Sequence, residues 1–282
     1  MTRVSTGAGE PVDLFVRVRG DGPTVTLLHG YPSSSFDWRT VGGRLDERFQ
    51  VVTIDQLGFG RSDKPWPHAY SIGEQADLVE GVWRGLGVHS THLVVHDYSS
   101  SIGQELAARD LAARDGVTRL DSLTYLNGAV YPQLHRPTEG QLLLRGPGGD
   151  DLARVIDADH FASSIRPTFG PGGPVDDDAV DDMWFTISHD GGQALAAGLL
   201  HYIDDRALHA ARWTSAMEQT TVPTAFVWGP DDPVSGAHML AQIRRRLPTA
   251  RVFELDGVGH WPMLEDPDAV SSAILSVIGP TG

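Results

Sequence analysis

An aspartate closes an apolar run in THLVVHDYSSSIGQELAAR, residues 91–109, where Val94, Val95 and His96 lead into Asp97 and a helix-like pattern follows. A carboxylate at the tip of a buried strand is costly unless it is paired or has chemical work to do. A sharp strand-to-helix turn would expose Asp97 beside a helix N-terminus, where backbone N–H groups favour a negative charge or a developing oxyanion. This is the layout of a nucleophile elbow, with Asp where hydrolases often carry Ser. An aspartate is ionised at neutral pH without help from a base and can form a covalent ester intermediate. A rival nucleophile is Ser101, since Ser99 to Gly103 reads S-x-S-x-G, but the strand would then overrun through a string of serines. The plainest reading is that Asp97 and the serines cap a helix.

Three other stretches bear on the choice. VWGPDDPVSG, 227–236, ends a strand at Gly229 and presents Asp231 and Asp232 ahead of Pro233. An Asp there can orient a histidine, and a Pro-Asp turn is the bland alternative. LDGVGHWPMLEDP, 255–267, puts His260 in a glycine-rich loop after the last strand, where the backbone can aim an imidazole into a pocket. HGYP, 29–32, follows a strand and would offer the Tyr31 backbone N–H towards the nucleophile, with a second from Tyr98. Two such donors make an oxyanion hole. The chain order nucleophile, acid, histidine adds a constraint that no single motif supplies.

Those residues need a scaffold that brings strand ends together. Short β-branched runs occupy 14–20, 24–30, 49–55, 91–97, 120–128, 223–229 and 250–257, with helix-like stretches such as 74–87, 101–114 and 238–247 between most of them. Alternating strands and helices predict a mostly parallel central sheet covered by helices on both faces. Ligands of such sheets sit at the carboxyl ends of the strands, where His29, Asp55, Asp97, Asp232 and His260 fall or nearly fall. The rhythm breaks between about 130 and 215, which holds Gly/Pro-rich breakers and helix-like pieces. That predicts a core of residues 1–129 and 216–282 with a helical cap inserted at 130–215.

Composition narrows the rest. The chain has 282 residues, 40% hydrophobic and 21% charged, with no cysteine, which excludes disulfides, thiol catalysis and Cys-based metal sites. A formal net charge of −15 argues against nucleic acid or an anionic membrane as partner. Lys64 is the sole lysine. The acidic run Val175 to Met183 reads as a helix start, with acids favoured by the helix dipole. His89, His92 and His96 project from differing faces of one strand and do not suggest a zinc site. No stretch reaches the roughly 20 apolar residues of a membrane span. The N-terminus lacks the apolar core of a signal peptide, so a cytoplasmic location is the expectation.

With these residues in place the chain resembles the α/β-hydrolase fold superfamily, and HGYP, VVHDYSS, GPDDP and GHWPMLEDP resemble its haloalkane dehalogenase and epoxide hydrolase branch. HGYPSSSFDW, DQLGFGRSDKPWPHAYSIGEQA, HDYSSSIGQELAAR, LNGAVYPQLHRP, DMW, LLHYIDDR and GPDDPV are similar to the mesoderm-specific transcript protein family. The resemblance implies Asp97 as nucleophile, His260 as water-activating base and Asp232 as the acid. It also implies a cis bond at Tyr31-Pro32, and no metal or organic cofactor. Asn127 ends a strand where some dehalogenases carry the acid, and Asn cannot serve as one. The halide-holding indole or amide side chains of dehalogenases are replaced by Tyr31 and Tyr98, whereas Tyr202 in LLHYIDDR falls where epoxide hydrolases place a ring-protonating tyrosine, with Tyr131 as a weaker second. The expected activity is epoxide hydrolysis through an alkyl-enzyme ester. Dehalogenation, a Ser101-based esterase and a ligand-binding homologue without turnover are the alternatives. The expected partner is a small apolar molecule, and a homodimer is allowed.

Overall fold

The structure is a computed structural model, and it describes residues 1–4, 11–112, 118–173 and 176–279. A short hairpin of β1 (Thr2–Val4) and β2 (Val12–Leu14) precedes the main sheet. Then come β3 (Val16–Arg19), β4 (Thr24–Leu28), α1 (Arg39–Leu45), β5 (Gln50–Ile54), α2 (Ile72–Leu86), β6 (Ser90–His96), α3 (Tyr98–Leu111) and β7 (Arg119–Leu126). After β7 the described residues form only helices and loops until β8 (Thr224–Trp228). The helices are α4 (Glu139–Arg145), α5 (Gly149–Val155), α6 (Ala158–Ile165), α7 (Asp177–Ile187), α8 (Ala196–Leu199) and α9 (Tyr202–Gln219), with short 3-10 turns between them. The chain closes with α10 (Ala237–Arg246), β9 (Arg251–Glu254), α11 (Pro262–Glu265) and α12 (Pro267–Ile278).

Seven strands form one sheet in the order β3-β5-β4-β6-β7-β8-β9, parallel throughout except for the antiparallel edge pair β3–β5. This is the α/β-hydrolase fold. The sequence run 14–20 is split by the structure, with Leu14 ending β2 and β3 beginning at Val16. β6 shows why its sequence is apolar without alternating. Leu93 and Val95 pack with α2, α3 and α10, whereas Val94 faces the opposite layer with α1 and α12. A central parallel strand has no solvent face, so both sets of side chains are apolar.

Local chemistry sets the helix ends. Ser71 accepts from the Glu74 N–H at the start of α2, and Gly87 takes a left-handed conformation (φ 69°) at its end. In the acidic run, Asp176 accepts from the Asp178 N–H and Asp177 and Asp178 fill the first turn of α7; Val175 lies outside the described residues. The helix predicted over 101–114 is described to Leu111, and its residues 113–114 lie outside the described ones. Helix α9 runs to Gln219, so the predicted boundary at 215 falls inside a helix. Ala216 and Met217 are buried on the face that also carries Tyr202, Arg206 and Trp213, and that packing continues the helix. Among the described residues no helix is long and apolar enough to cross a membrane.

Candidate active site

β6 ends at His96 and α3 begins at Tyr98, so Asp97 alone makes the turn, at φ 42° and ψ −105°. A non-glycine residue at positive φ is strained and persists only where its surroundings over-determine it. Here they do. The Asp97 N–H donates to the Asn127 carbonyl at 2.9 Å, and the Asp97 carbonyl accepts from the Ser100 N–H at 2.9 Å and from Arg206 Nη2 at 2.7 Å. Gly30 crosses so close that a Cβ there would stand 2.6 Å from His96 Nδ1 and 3.0 Å from the Asp97 Cβ.

The carboxylate is 3% exposed, and its two oxygens have different neighbours. Oδ2 accepts from the Tyr31 N–H at 3.1 Å and lies 4.0 Å from His260 Nε2. Oδ1 lies 3.6 Å from Arg206 Nη2. Burial pushes the Asp97 pKa up, but His260, Arg206, His96 and the Tyr31 N–H together outweigh it and hold the group below its ordinary value. The turn that brings Tyr31 in is built on a cis Tyr31-Pro32 bond. Tyr98 is the first residue of α3, so its N–H has no acceptor within the helix. Its ring packs edge-on against Phe59 and Tyr202.

His260 is brought to the site by the loop before α11. Its N–H donates to the Thr168 carbonyl at 2.8 Å, and Glu265 accepts from the N–H groups of Gly259 and Trp261 on either side. Its Nδ1 is 2.9 Å from Asp232 Oδ2. Of the doubled aspartates, Asp232 turns inward and Asp231 is exposed. Asp232 also accepts from Ser235 Oγ, Asn127 Nδ2 and the Val234 N–H. Burial opposes its charge, yet His260 and these donors hold its carboxyl far below the usual range. Burial likewise lowers the His260 pKa, but Asp232, Asp97 and Glu265 raise it to about 9.

Asn127 carries no charge and bridges strands instead. Its amide donates to the Gly229 carbonyl and to Asp232, and accepts from the Gly229 N–H. Ser101 Oγ lies in the first turn of α3, buried, and accepts from Arg206 Nε at 2.7 Å. Asp55 accepts from the N–H groups of Ser35 and Arg61, which fastens two turns together. Tyr202 is 1% exposed, and its hydroxyl is buried without a hydrogen-bond partner. Burial and the Asp97 charge raise its pKa well above the usual value. The weaker candidate Tyr131 does not join the site, because its hydroxyl donates to Glu218 Oε1 at 3.1 Å.

Two residues of this arrangement have no motif of their own. Arg206 enters from α9, one turn after Tyr202, with its guanidinium 4.4 Å from the centre of the Tyr202 ring. The i, i+4 spacing on one helix face is the only local signal for it. His96 joins β6 to the histidine loop, with Nε2 donating to the His260 carbonyl at 2.7 Å. Burial lowers its pKa to about 3, so it stays neutral.

A cavity of about 230 Å³ opens over His260 and Tyr31. Its walls are largely apolar and include Leu144, Phe161 and Ile165 from the helical insertion together with Val234 and Trp261. A buried carboxylate with a backbone donor on one of its oxygens and an imidazole held by a second carboxylate thus stand together at the strand ends, next to an apolar cavity that His260 and Tyr31 line.

The chain belongs to the alpha/beta hydrolase fold family, whose model matches residues 23–267. Within that family it is 38% identical over 270 residues to the human mesoderm-specific transcript homolog protein, covering 93% of this chain and 81% of that one. It is 40% identical over 268 residues to the Mycobacterium tuberculosis protein named "Putative hydrolase LipZ", covering 94% and 92%. Among solved structures, a haloalkane dehalogenase DbeA-M1 loop variant from Bradyrhizobium elkanii superposes with a TM-score of 0.76 at 20% identity over 94% of each chain, a likeness of fold.

Proposed function

We propose that this hydrolase opens epoxides through a covalent ester on Asp97. The observation that carries the reading is the Asp97 carboxylate itself. It sits at a strained strand tip, with the Tyr31 N–H on Oδ2 and the His260–Asp232 pair behind it. Because Oδ2 already occupies the donor side, Oδ1 is the oxygen that attacks. Its lone pair forms the new C–O bond as the ring C–O bond breaks. The electron pair passes to the ring oxygen, which takes a proton from the Tyr202 hydroxyl.

The raised pKa of His260 explains the order of events. Before attack the imidazole is protonated and cannot activate water. Esterification removes the Asp97 charge, which is one of the groups that raise the His260 pKa. The proton then returns to the Tyr202 phenolate, leaving a neutral base held by Asp232. Water gives its proton to Nε2 and adds to the ester carbonyl. The oxyanion forms at Oδ2 on the Tyr31 N–H, with the Tyr98 N–H at the start of α3 as the proposed second donor, each worth about 3 kcal/mol in well-studied cases. On collapse the bond from the Asp97 carbon to Oδ1 breaks, the leaving alkoxide takes the proton of the newly added hydroxyl, and the diol departs from a charged Asp97 and a protonated His260. Residues 130–215, continued by α9, act as the cap whose apolar wall admits an apolar substrate.

Ser101 makes a poor nucleophile because its hydroxyl is held by a cation on α9, which offers no base. Dehalogenation stands as a second reading on one observation, since the buried guanidinium of Arg206 could receive a halide where the indole and amide side chains of dehalogenases are missing. A His260→Gln variant mixed with styrene oxide tests the proposal. Accumulation of an adduct of the whole epoxide mass on Asp97 supports it, and an unmodified Asp97 across a panel of epoxides removes it.

A further inference from the structure

Among the described residues two arginines are buried, and the contrast between them is informative. Arg109 is surrounded by carboxylates, with Asp77 and Glu80 on Nη1 and Glu105 on Nε. That is how a structural cation is normally accommodated. Arg206 is more deeply buried, at 1% exposure, yet among the described residues the one carboxylate within ion-pair distance of it is that of Asp97. Nε and Nη2 are committed to Ser101 Oγ and the Asp97 carbonyl, and Nη1 is buried without a partner. The Tyr202 hydroxyl, one helical turn away, is also buried without a partner.

We infer that Arg206 is the fixed counter-ion of the reaction, facing the attacking Asp97 oxygen first and the departing negative charge afterwards. The inference rests on the ester mechanism above and adds a residue to it. Before attack Arg206 and His260 are positive while Asp97 and Asp232 are negative, so the cluster is neutral. When Oδ1 becomes an ester oxygen its charge has moved to the ring oxygen and, after proton transfer, to the Tyr202 phenolate. Arg206 would then be a buried cation without a carboxylate, a costly state unless an anion takes that place. The phenolate ring lies against its guanidinium, and Nη1 has donors to spare. A fixed cation aligned with the moving charge lowers the barrier without reorganising during the step. Because Arg206 also holds the Asp97 carbonyl, its role must be separated from support of the turn.

The first measurement is the single-turnover rate of ester formation from styrene oxide in wild type, Arg206→Gln and Arg206→Lys. Removing the charge slows this step about a hundredfold, the scale of a lost charge-stabilising donor, and Lys recovers about tenfold of the loss. The acidic limb of the rate also moves to higher pH in Arg206→Gln, because Asp97 loses a cation that lowers its pKa. A Gln variant within about threefold of wild type with an unmoved limb, or a Lys variant no better than Gln, overturns the inference. The second measurement needs no Arg206 variant. Asp97→Asn removes the resident anion, so sodium bromide at constant ionic strength gives that variant a saturable rise in melting temperature which wild type lacks. Equal or absent responses in the two proteins overturn the inference. If wild type forms no ester with any epoxide, the mechanism fails, while the bromide comparison still decides whether Arg206 is an anion's counter-ion.

Discussion

His260 Nε2 stands 4.0 Å from Asp97 Oδ2, on the same side of the carboxylate as the Tyr31 N–H. The imidazole therefore faces the oxygen that accepts from Tyr31 rather than Oδ1, the oxygen proposed to attack, and the Asp97 charge is one of those that raise its pKa. Removing that charge with Asp97→Asn lowers the His260 pKa from about 9. Imidazole NMR of the two proteins measures this directly, and an unchanged titration would show that Asp232 and Glu265 set the value without Asp97.

The same ion pairs couple stability to pH. The folded-state pKa of His260 is raised above the unfolded value near 6.5, so its contribution is fully present below pH 6.5 and lost as the pH rises through about 9. At most about 3 kcal/mol is involved, from 1.36 kcal/mol per pKa unit. Urea unfolding of wild type should show falling stability across that window, and His260→Gln should flatten the slope.

Asp37 gives the opposite opportunity. It is buried at 3% exposure with Oδ2 unpartnered, and burial raises its pKa to about 7 despite Ser33 and Arg39. A carboxyl whose folded pKa is raised costs stability as the pH rises from its unfolded value through the folded one. Asp37→Asn therefore stabilises the fold by about 1–3 kcal/mol at pH 8 and by little at pH 4. Melting temperatures at the two pH values check the sign.

Tyr202→Phe keeps the buried ring and removes only the unpartnered hydroxyl. Ester formation from an epoxide falls about a hundredfold or more, the usual contribution of a positioned general acid. Breakdown of the preformed ester changes much less. Rapid-quench kinetics separate the two steps, and equal losses in both would remove Tyr202 from the role of proton donor.

Gly30→Ala tests the close approach behind the elbow. The added Cβ would press on His96 Nδ1 at 2.6 Å and the Asp97 Cβ at 3.0 Å, and neither neighbour is the free end of a flexible chain. If the turn yields by about 1 Å, the displaced Asp97 carboxylate costs activity on the order of a hundredfold. Activity within a few fold of wild type, with the fold intact by circular dichroism, would show that the turn tolerates the shift.

How much of this was legible in the sequence depended on the range of each interaction. Most strands of the main sheet were readable because they are β-branched or apolar runs closed by Gly, Asp or Asn, and Asp97 stood out because a helical pattern follows it at once. The three-residue strand Thr2–Val4 was too short to show any pattern. Asp231 and Asp232 were indistinguishable as residues, and the turn decides between them by sending one to solvent and the other under His260. Arg206 was hidden because its partners, the Asp97 carbonyl and Ser101 Oγ, belong to elements over a hundred positions away. The bond from His96 to the His260 carbonyl was hidden for the same reason. Contacts of that kind leave no local spacing to read.

The most direct measurement is a single turnover of styrene oxide in heavy-oxygen water with enzyme in excess, followed by mass spectrometry of the peptide that contains Asp97. The account predicts one heavy oxygen in the Asp97 carboxylate and none in the first diol released. Heavy oxygen in that diol with an unlabelled Asp97 would mean that water attacked the epoxide directly, and the ester mechanism would be wrong.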